Sequence, residues 1–413
     1  MAIQIVAEKM VFGGNCLAKL NGKNVFIPFA VPGETLEIEI TKSFRDYDLA
    51  KITRIVTPSP HRVEPFCPLY GICGGCNMQH ISAEHQKELR VQMLRDSFER
   101  EGIEAPEIDV ISGKEKGYRA RIQLTDGGFN ERESNSIVPL AQCPVATDAI
   151  NAYLSAVPQK DRPRGRVHVF GDERVQNGTA YPHLILAEEK QSLKLGQQEV
   201  SEKLRKRLKH FVKPRFAGTT AGAVTPCEIM LADRKIQFDA RGFFQSNLEV
   251  LEKTVSVLLS NLGGTHALDM YAGAGVLSAF LSDVFEKVTL VEHNRDALVQ
   301  AEINLAGTKH ASYGVSGAKW VRENASGIIV HEGNFDAVVI DPPRSGMEPE
   351  VRDWLCANKV GQIRSVSCDP ATHARDAAAL VKAGYSLSRL YLLDFYPQTS
   401  HIESLAFFEC FEE

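Results

Sequence analysis

Leu268-Asp269-Met270-Tyr271-Ala272-Gly273-Ala274-Gly275 is the stretch on which the fold turns. It carries an acid near the end of an apolar strand, then a glycine-containing turn, then a helical pattern that begins near Val276. Glycines in such a turn let the backbone approach a bound ligand closely. On either side the chain alternates between strand and helix signals, with candidate strands at 267–270, 287–291, 335–340, 363–367 and 386–392. That alternation predicts an α/β unit with a parallel, doubly wound sheet. In such sheets ligands gather outside the carboxyl ends of the strands, so the residues that follow each strand are the candidates for chemistry.

The second of these strands ends in Val291-Glu292, 23 residues after Asp269. An acid there can accept hydrogen bonds from both ribose hydroxyls of a nucleotide-type cofactor. The glycine turn and Glu292 together fit NAD and S-adenosylmethionine equally well. The next motif separates them: Asp341-Pro342-Pro343-Arg344 closes the strand at 335–340 and resembles the D-P-P loop of nucleic-acid methyltransferases. In amino-group methyltransferases an aromatic residue usually follows the prolines; here Arg344 stands there, which makes methylation of an exocyclic amine the second reading.

The whole chain has 413 residues, 44% hydrophobic and 24% charged, with a formal net charge of -5. This is the balance of a globular protein with room for about two to four domains. No apolar run approaches the roughly 18 residues of a membrane span, and the N-terminus lacks a secretory signature, so a cytoplasmic location is expected. The net charge argues against a general polyanion binder but leaves room for a local basic face. Basic residues are dense at Lys203, Arg205, Lys206, Arg207, Lys209, Lys213 and Arg215, which could meet phosphates or simply be solvated.

The first 57 residues read as short strands at 3–6, 25–29, 36–40 and 50–55, a pattern that suits a small β-barrel. Pro58, Pro60 and Pro65 then mark a boundary. Cysteines follow: Cys67, Cys73 and Cys76 have the spacing C-x5-C-x2-C, with Gly74 and Gly75 freeing the backbone to wrap a compact centre. A cubane iron–sulfur cluster needs a fourth thiolate, for which Cys143 is the candidate, and four thiolates also make a closed zinc site. The nine cysteines of the chain are otherwise without partner spacing, which argues against a disulfide scaffold.

Two further segments, Ser365-Val366-Ser367-Cys368-Asp369-Pro370 and Asp394-Phe395-Tyr396-Pro397-Gln398-Thr399-Ser400-His401-Ile402-Glu403, complete a three-part match. With Asp341-Pro342-Pro343-Arg344-Ser345-Gly346, they closely resemble the signatures of the RNA uracil-5-methyltransferase family. The resemblance implies a Rossmann-like methyltransferase domain that uses S-adenosylmethionine. It implies Cys368 as the nucleophile and Glu403 as the general base. It places cofactor contacts on Gln245, Tyr271, Glu292, Asn324 and Asp341, and it favours a 4Fe-4S cluster on Cys67, Cys73, Cys76 and Cys143 over zinc. The chemistry asks for these residue types. Carbon 5 of uracil is a poor nucleophile until a thiolate adds to carbon 6, and the proton left on carbon 5 then needs a base.

The N-terminal stretch, especially Phe29-Ala30-Val31-Pro32-Gly33-Glu34, resembles a TRAM domain, an OB-like RNA-binding barrel. The expected organisation is therefore a TRAM-like barrel over 1–58, a central α+β iron–sulfur domain over 59–225 and the methyltransferase over 226–413. In relatives the helical stretch 81–105 packs with the catalytic domain. The implied partner is RNA, ribosomal in preference to transfer RNA, with no membrane and a monomeric chain. The alternatives are methylation of uridine 54 in tRNA, of another RNA atom, or a non-catalytic RNA-binding factor. The chain departs from the family pattern at Ser365, Tyr396 and Asp369, the last adding a negative charge beside the thiol. Val276 also stands where some relatives carry a cofactor-touching asparagine.

Overall fold

The computed structural model describes residues 3–178, 183–188 and 224–410. The basic run from Lys203 to Arg215 lies outside the described residues.

The N-terminal part is a six-stranded, mostly antiparallel sheet made of Ile3–Val6, Lys9–Met10, Asn15–Leu20, Lys23–Pro28, Thr35–Ser43 and Tyr47–Thr57. Asn15–Leu20 was not among the predicted strands, although its signal is plain. It is joined to Lys23–Pro28 by Asn21-Gly22, both with positive φ (51° and 81°), as a two-residue hairpin turn requires. Alternation sets the inner face, where Leu36, Ile38, Val25 and Ile27 are buried. The fully buried Glu34 accepts from the backbone N–H of Val31 (2.9 Å) and of Ser59 (3.2 Å) and from Arg62 Nη2 (2.7 Å), which pins this sheet to the chain that leaves it.

The middle of the chain forms a three-stranded antiparallel sheet, Leu184–Glu188, Arg166–Gly171 and Arg121–Thr125, covered by the helix Asp148–Ala156. Ile122, Leu124, Ile150, Leu154, Val167 and Val169 fill its core.

The largest unit is built on an eight-stranded sheet in the order His310–Tyr313, Phe285–Val291, Gly264–Met270, Ala337–Ile340, Gln362–Ser367, Glu403–Glu409, Ser386–Leu393, Ile108–Ile111. Its first five strands are mutually parallel, as expected. The expectation of an all-parallel sheet is corrected at Glu403–Glu409, which runs antiparallel between two neighbours. This strand is buried on both faces and so shows an apolar run rather than alternation.

A linear boundary near 225 does not describe this unit. Ile108–Ile111 pairs in parallel with Ser386–Leu393, and the helix Ala83–Arg100 packs on the helix Pro370–Lys382, with Phe98 edge-on to His373. Arg90, on that first helix, donates to Asp394 at 2.7 Å, both side chains 1% exposed.

Candidate active site

Four parallel strands end side by side, and the residues just beyond them are Tyr271, Glu292, Asp341 and Cys368. They open onto one cavity of about 1230 Å3, which Gln245 and Glu403 also line. Its size exceeds that of a typical single-ligand pocket.

At one end the glycine turn is built for close approach. Gly275 has φ +72°, and a Cβ there would lie 2.6 Å from the Cβ of Ala301, so only glycine lets the helices meet. Tyr271 holds a positive φ of 67°, unusual for a bulky residue. Its hydroxyl donates to Glu348 Oε2 (3.4 Å) and accepts from the Glu348 N–H (3.2 Å). Glu292 is buried and accepts from the backbone N–H of Gly273 (2.9 Å) and of Asn294 (2.6 Å). Asp269 takes a hydrogen bond from Ser278 Oγ at 2.5 Å, and its Oδ1 is buried without a partner. Burial, then the charges of Asp341 and Glu292, push its carboxyl up to about 7. Gln245 Oε1 is likewise buried without a partner. Two unsatisfied acceptors facing a cavity are what a donor-bearing ligand would satisfy.

At the other end strand register brings thiol and acid together. Ser367 pairs with Ser404 in the antiparallel ladder, and carrying that register one residue further sets Cys368 across from Glu403. Residues opposed in this way have Cα atoms about 4.5–5.5 Å apart. Burial, then the charges of Glu403 and Asp341, push the Cys368 thiol up to about 11, while Arg344 acts in the opposite direction. Glu403 is 5% exposed. Burial and then Asp341 raise its carboxyl to about 8, against a hydrogen bond from Gln245 Nε2 to its Oε2 (3.3 Å) and the charge of Arg344. Asp341 keeps part of its surface open to the cavity, yet desolvation lifts it to about 6.

Asp369 does not act on the thiol. Its carboxylate caps the helix Pro370–Lys382, accepting from the N–H groups of Ala371 (3.0 Å) and Thr372 (2.9 Å), so its charge is spent on the helix N-terminus.

Cys67, Cys73, Cys76 and Cys143 are free thiols in one neighbourhood. Burial raises Cys73, Cys76 and Cys143. Cys67 acts further on Cys73 and Cys143, and Cys76 feels both Cys73 and Cys143. Arg119 lowers all three, and its guanidinium also lies 5.9 Å from the centre of the Tyr396 ring. Among the described residues, no three His, Cys, Asp or Glu side chains are grouped as a single metal ion would need. Gly74 and Gly75 of this loop reach the wall of the catalytic cavity.

Of the expected catalytic and cofactor-binding residues, Asn324 alone does not line the cavity. It sits on the short turn Val321–Ala325, and Ser316 and Gly317 line the wall instead. Arg344 and Asp269 belong to the site electrostatically, which their motifs hinted at without giving them a role.

A cavity at the carboxyl ends of this sheet, with an acidic turn and a D-P-P loop, defines an α/β methyltransferase. The family described as tRNA (Uracil-5-)-methyltransferase matches residues 226–410. A Treponema denticola protein named as an uncharacterized RNA methyltransferase is 34% identical over 443 residues, covering 98% of both chains. The 23S rRNA (uracil(1939)-C(5))-methyltransferase RlmD of Shewanella amazonensis is 31% identical over 429 residues, covering 98% of this chain and 95% of that one. The tRNA (uracil-54, C5)-methyltransferase of Pyrococcus abyssi, solved with S-adenosyl-L-homocysteine, shares the fold with a TM-score of 0.70 at 22% identity, over 98% of this chain and 100% of that one. The chain belongs to the RNA (uracil-5-)-methyltransferase family.

Proposed function

We propose that the protein methylates carbon 5 of a uracil in ribosomal RNA through a transient bond between Cys368 and carbon 6, with Glu403 as the base. The observation that carries this is the Ser367–Ser404 pair of adjacent strands, whose register carried one residue further sets the thiol across from the buried acid at the cavity that Asp341 shares.

S-adenosylmethionine, when bound, supplies a methyl group on a positively charged sulfur. The residues present suit it: Glu292 for the ribose, and the unpartnered oxygens of Asp269 and Gln245 for donor groups. The Cys368 thiolate adds to carbon 6, and the carbon 5–carbon 6 π pair moves toward the ring carbonyl. Carbon 5 then takes the methyl group, the bonding pair staying with the donor sulfur. Glu403 removes the carbon 5 proton, and those electrons restore the double bond as the carbon 6–sulfur bond breaks and the thiolate is regenerated. Arg344 is the cation beside both groups and favours their charged forms. A uracil has to leave its stack to reach this site; Phe243, 70% exposed at the cavity rim, is the aromatic surface on which a neighbouring base could stack.

We assign Cys67, Cys73, Cys76 and Cys143 as ligands of a 4Fe-4S cluster, supported by four free thiols that act on one another and by the side-chain-free Gly74 and Gly75 between them. Its part is structural, since the methyl transfer moves no net electrons. The sheet over residues 3–57 is assigned as a TRAM-like RNA-binding unit. The 31% identical relative named for 23S rRNA favours ribosomal RNA, and the Pyrococcus abyssi structure makes tRNA the second substrate to examine.

The test is incubation with RNA containing 5-fluorouracil and S-adenosylmethionine. A fluorine at carbon 5 cannot leave as a proton, so a covalent protein–RNA complex stable to denaturation is expected, absent in Cys368→Ala. Mapping 5-methyluridine in rRNA and tRNA, with and without the protein, then identifies the substrate. No complex from the unsubstituted protein overturns the covalent route.

A further inference from the structure

The loop that delivers Glu403 into its strand is held from a distance. Gln398, 3% exposed, has φ +71°, a backbone conformation that a non-glycine residue keeps only when its surroundings impose it. Its carbonyl accepts from the N–H groups of both Asn77 (3.1 Å) and Met78 (3.0 Å), and its N–H donates to Gln86 Oε1 (3.0 Å). Two residues on, the Asn77 side chain takes over. Its Oδ1 accepts from the Ser400 N–H at 2.9 Å, and its Nδ2 donates to Ser400 Oγ (2.9 Å) and to the carbonyl of Gly13 (3.2 Å). Gly14 (φ +84°) leaves the room: a Cβ there would lie 2.7 Å from Asn77 Nδ2 and 2.9 Å from the Ser400 Cβ.

Asn77 thus uses both amide protons and its oxygen to join three separate segments: the N-terminal sheet, the residue after Cys76, and the loop three residues ahead of Glu403. It lines only a small recess of about 160 Å3 beyond the Gly74-Gly75 wall, not the catalytic cavity. We infer that Asn77 is a positioning residue for the proton-removal step, through which the shape of the cysteine loop sets the place of Glu403.

This rests on the assignment of Cys368 and Glu403, and it separates from that assignment in experiment. Misplacing a catalytic group by about 1 Å can cost about a hundredfold in rate. Asn77→Ala is therefore expected to lower kcat about tenfold to a hundredfold, with KM for S-adenosylmethionine within about twofold, because the cofactor end of the cavity is untouched. With ordinary uracil RNA the variant should accumulate a methylated covalent complex on a denaturing gel, since Cys368 still adds but the carbon 5 proton leaves slowly. Asn77→Asp keeps the acceptor for the Ser400 N–H and should recover part of kcat. A structural role alone would lower complex formation and turnover together. That outcome overturns the inference, as does unchanged kcat in Asn77→Ala. If Asn77→Ala does not fold, the split is read in Asn77→Asp and in Ser400→Ala, each of which removes part of the same junction; normal turnover in both overturns it. Failure of the unsubstituted protein to trap 5-fluorouracil RNA would instead count against the covalent reading itself.

Discussion

Replacing Glu403 by Gln keeps the shape of the side chain and removes its ability to take a proton. The wild-type carboxyl sits at about 8, so in the free enzyme roughly a tenth of it is ionised at pH 7, and its ionisation should add a limb of about tenfold per pH unit to kcat/KM that ends near pH 8, above which only the rise owed to the Cys368 thiol, at about 11, remains. A positioned base contributes about 10²–10⁴-fold, or roughly 3–5 kcal/mol of barrier. The assay is tritium release from RNA labelled at uracil carbon 5, between pH 6 and 9. Glu403→Gln should lose that factor and the limb near pH 8, while still transferring about one methyl group per site into a trapped adduct. Stability should move the other way. A carboxyl raised in the folded state stabilises the fold fully below pH about 4.5, and this contribution fades as pH rises through 8. Above that, the native state carries a buried charge that costs on the order of a few kcal/mol. Glu403→Gln is spared that charge, so its melting temperature should exceed that of the wild type by a margin that widens from pH 5 to 8. If the variant releases tritium normally or keeps the pH 8 limb, Glu403 is not the base.

Two further outcomes follow from the same geometry. Asp369→Ala removes the oxygen that caps two backbone N–H groups and should destabilise the protein by about 1 kcal/mol in calorimetry, whereas Asp369→Asn retains the cap and should leave both stability and turnover near wild type. Glu292→Ala should weaken binding of S-adenosylhomocysteine about tenfold to a hundredfold in titration calorimetry, the value of hydrogen bonds to a charged group, because it strips the ribose acceptor and the anchor of the Gly273 turn; the yield of 5-fluorouracil adduct at saturating cofactor should hold.

What could be read from the sequence was local. The glycine turn, Glu292, Asp341 and Cys368 each follow an apolar strand directly, and the period of the chain exposes them. Glu403 was found through its motif, but its strand was not, because Glu403–Glu409 is buried on both faces and offers no alternation. Asn15–Leu20 was missed despite Asn21-Gly22, a turn signal sufficient to find it. Asn324 was a cofactor contact implied only by the family resemblance, and it lies in a helical turn away from the cavity. The junctions of Asn77 with Ser400, and of Gln86 and Arg90 with Gln398 and Asp394, join residues about 300 positions apart and leave no pattern in any short window.

The electrostatics of the cavity tie these pieces to one another. Asp341 raises Asp269, Cys368 and Glu403 together, so these side chains by themselves resist holding all of their negative charges at once. A cationic methyl donor placed among these carboxyls would relieve that repulsion and favour their ionised forms, readying Glu403 to accept a proton. After transfer the donor sulfur is neutral, and the repulsion returns. The carboxyl that has just taken the carbon 5 proton is then the one best suited to keep it while the thiolate departs from carbon 6. On this reading the donor's charge keeps Glu403 ionised up to methyl transfer, and the loss of that charge raises its proton affinity when the carbon 5 proton has to be taken. The acid character of the pocket thereby discriminates between donor and product by charge, at a site where the two differ by a single methyl group.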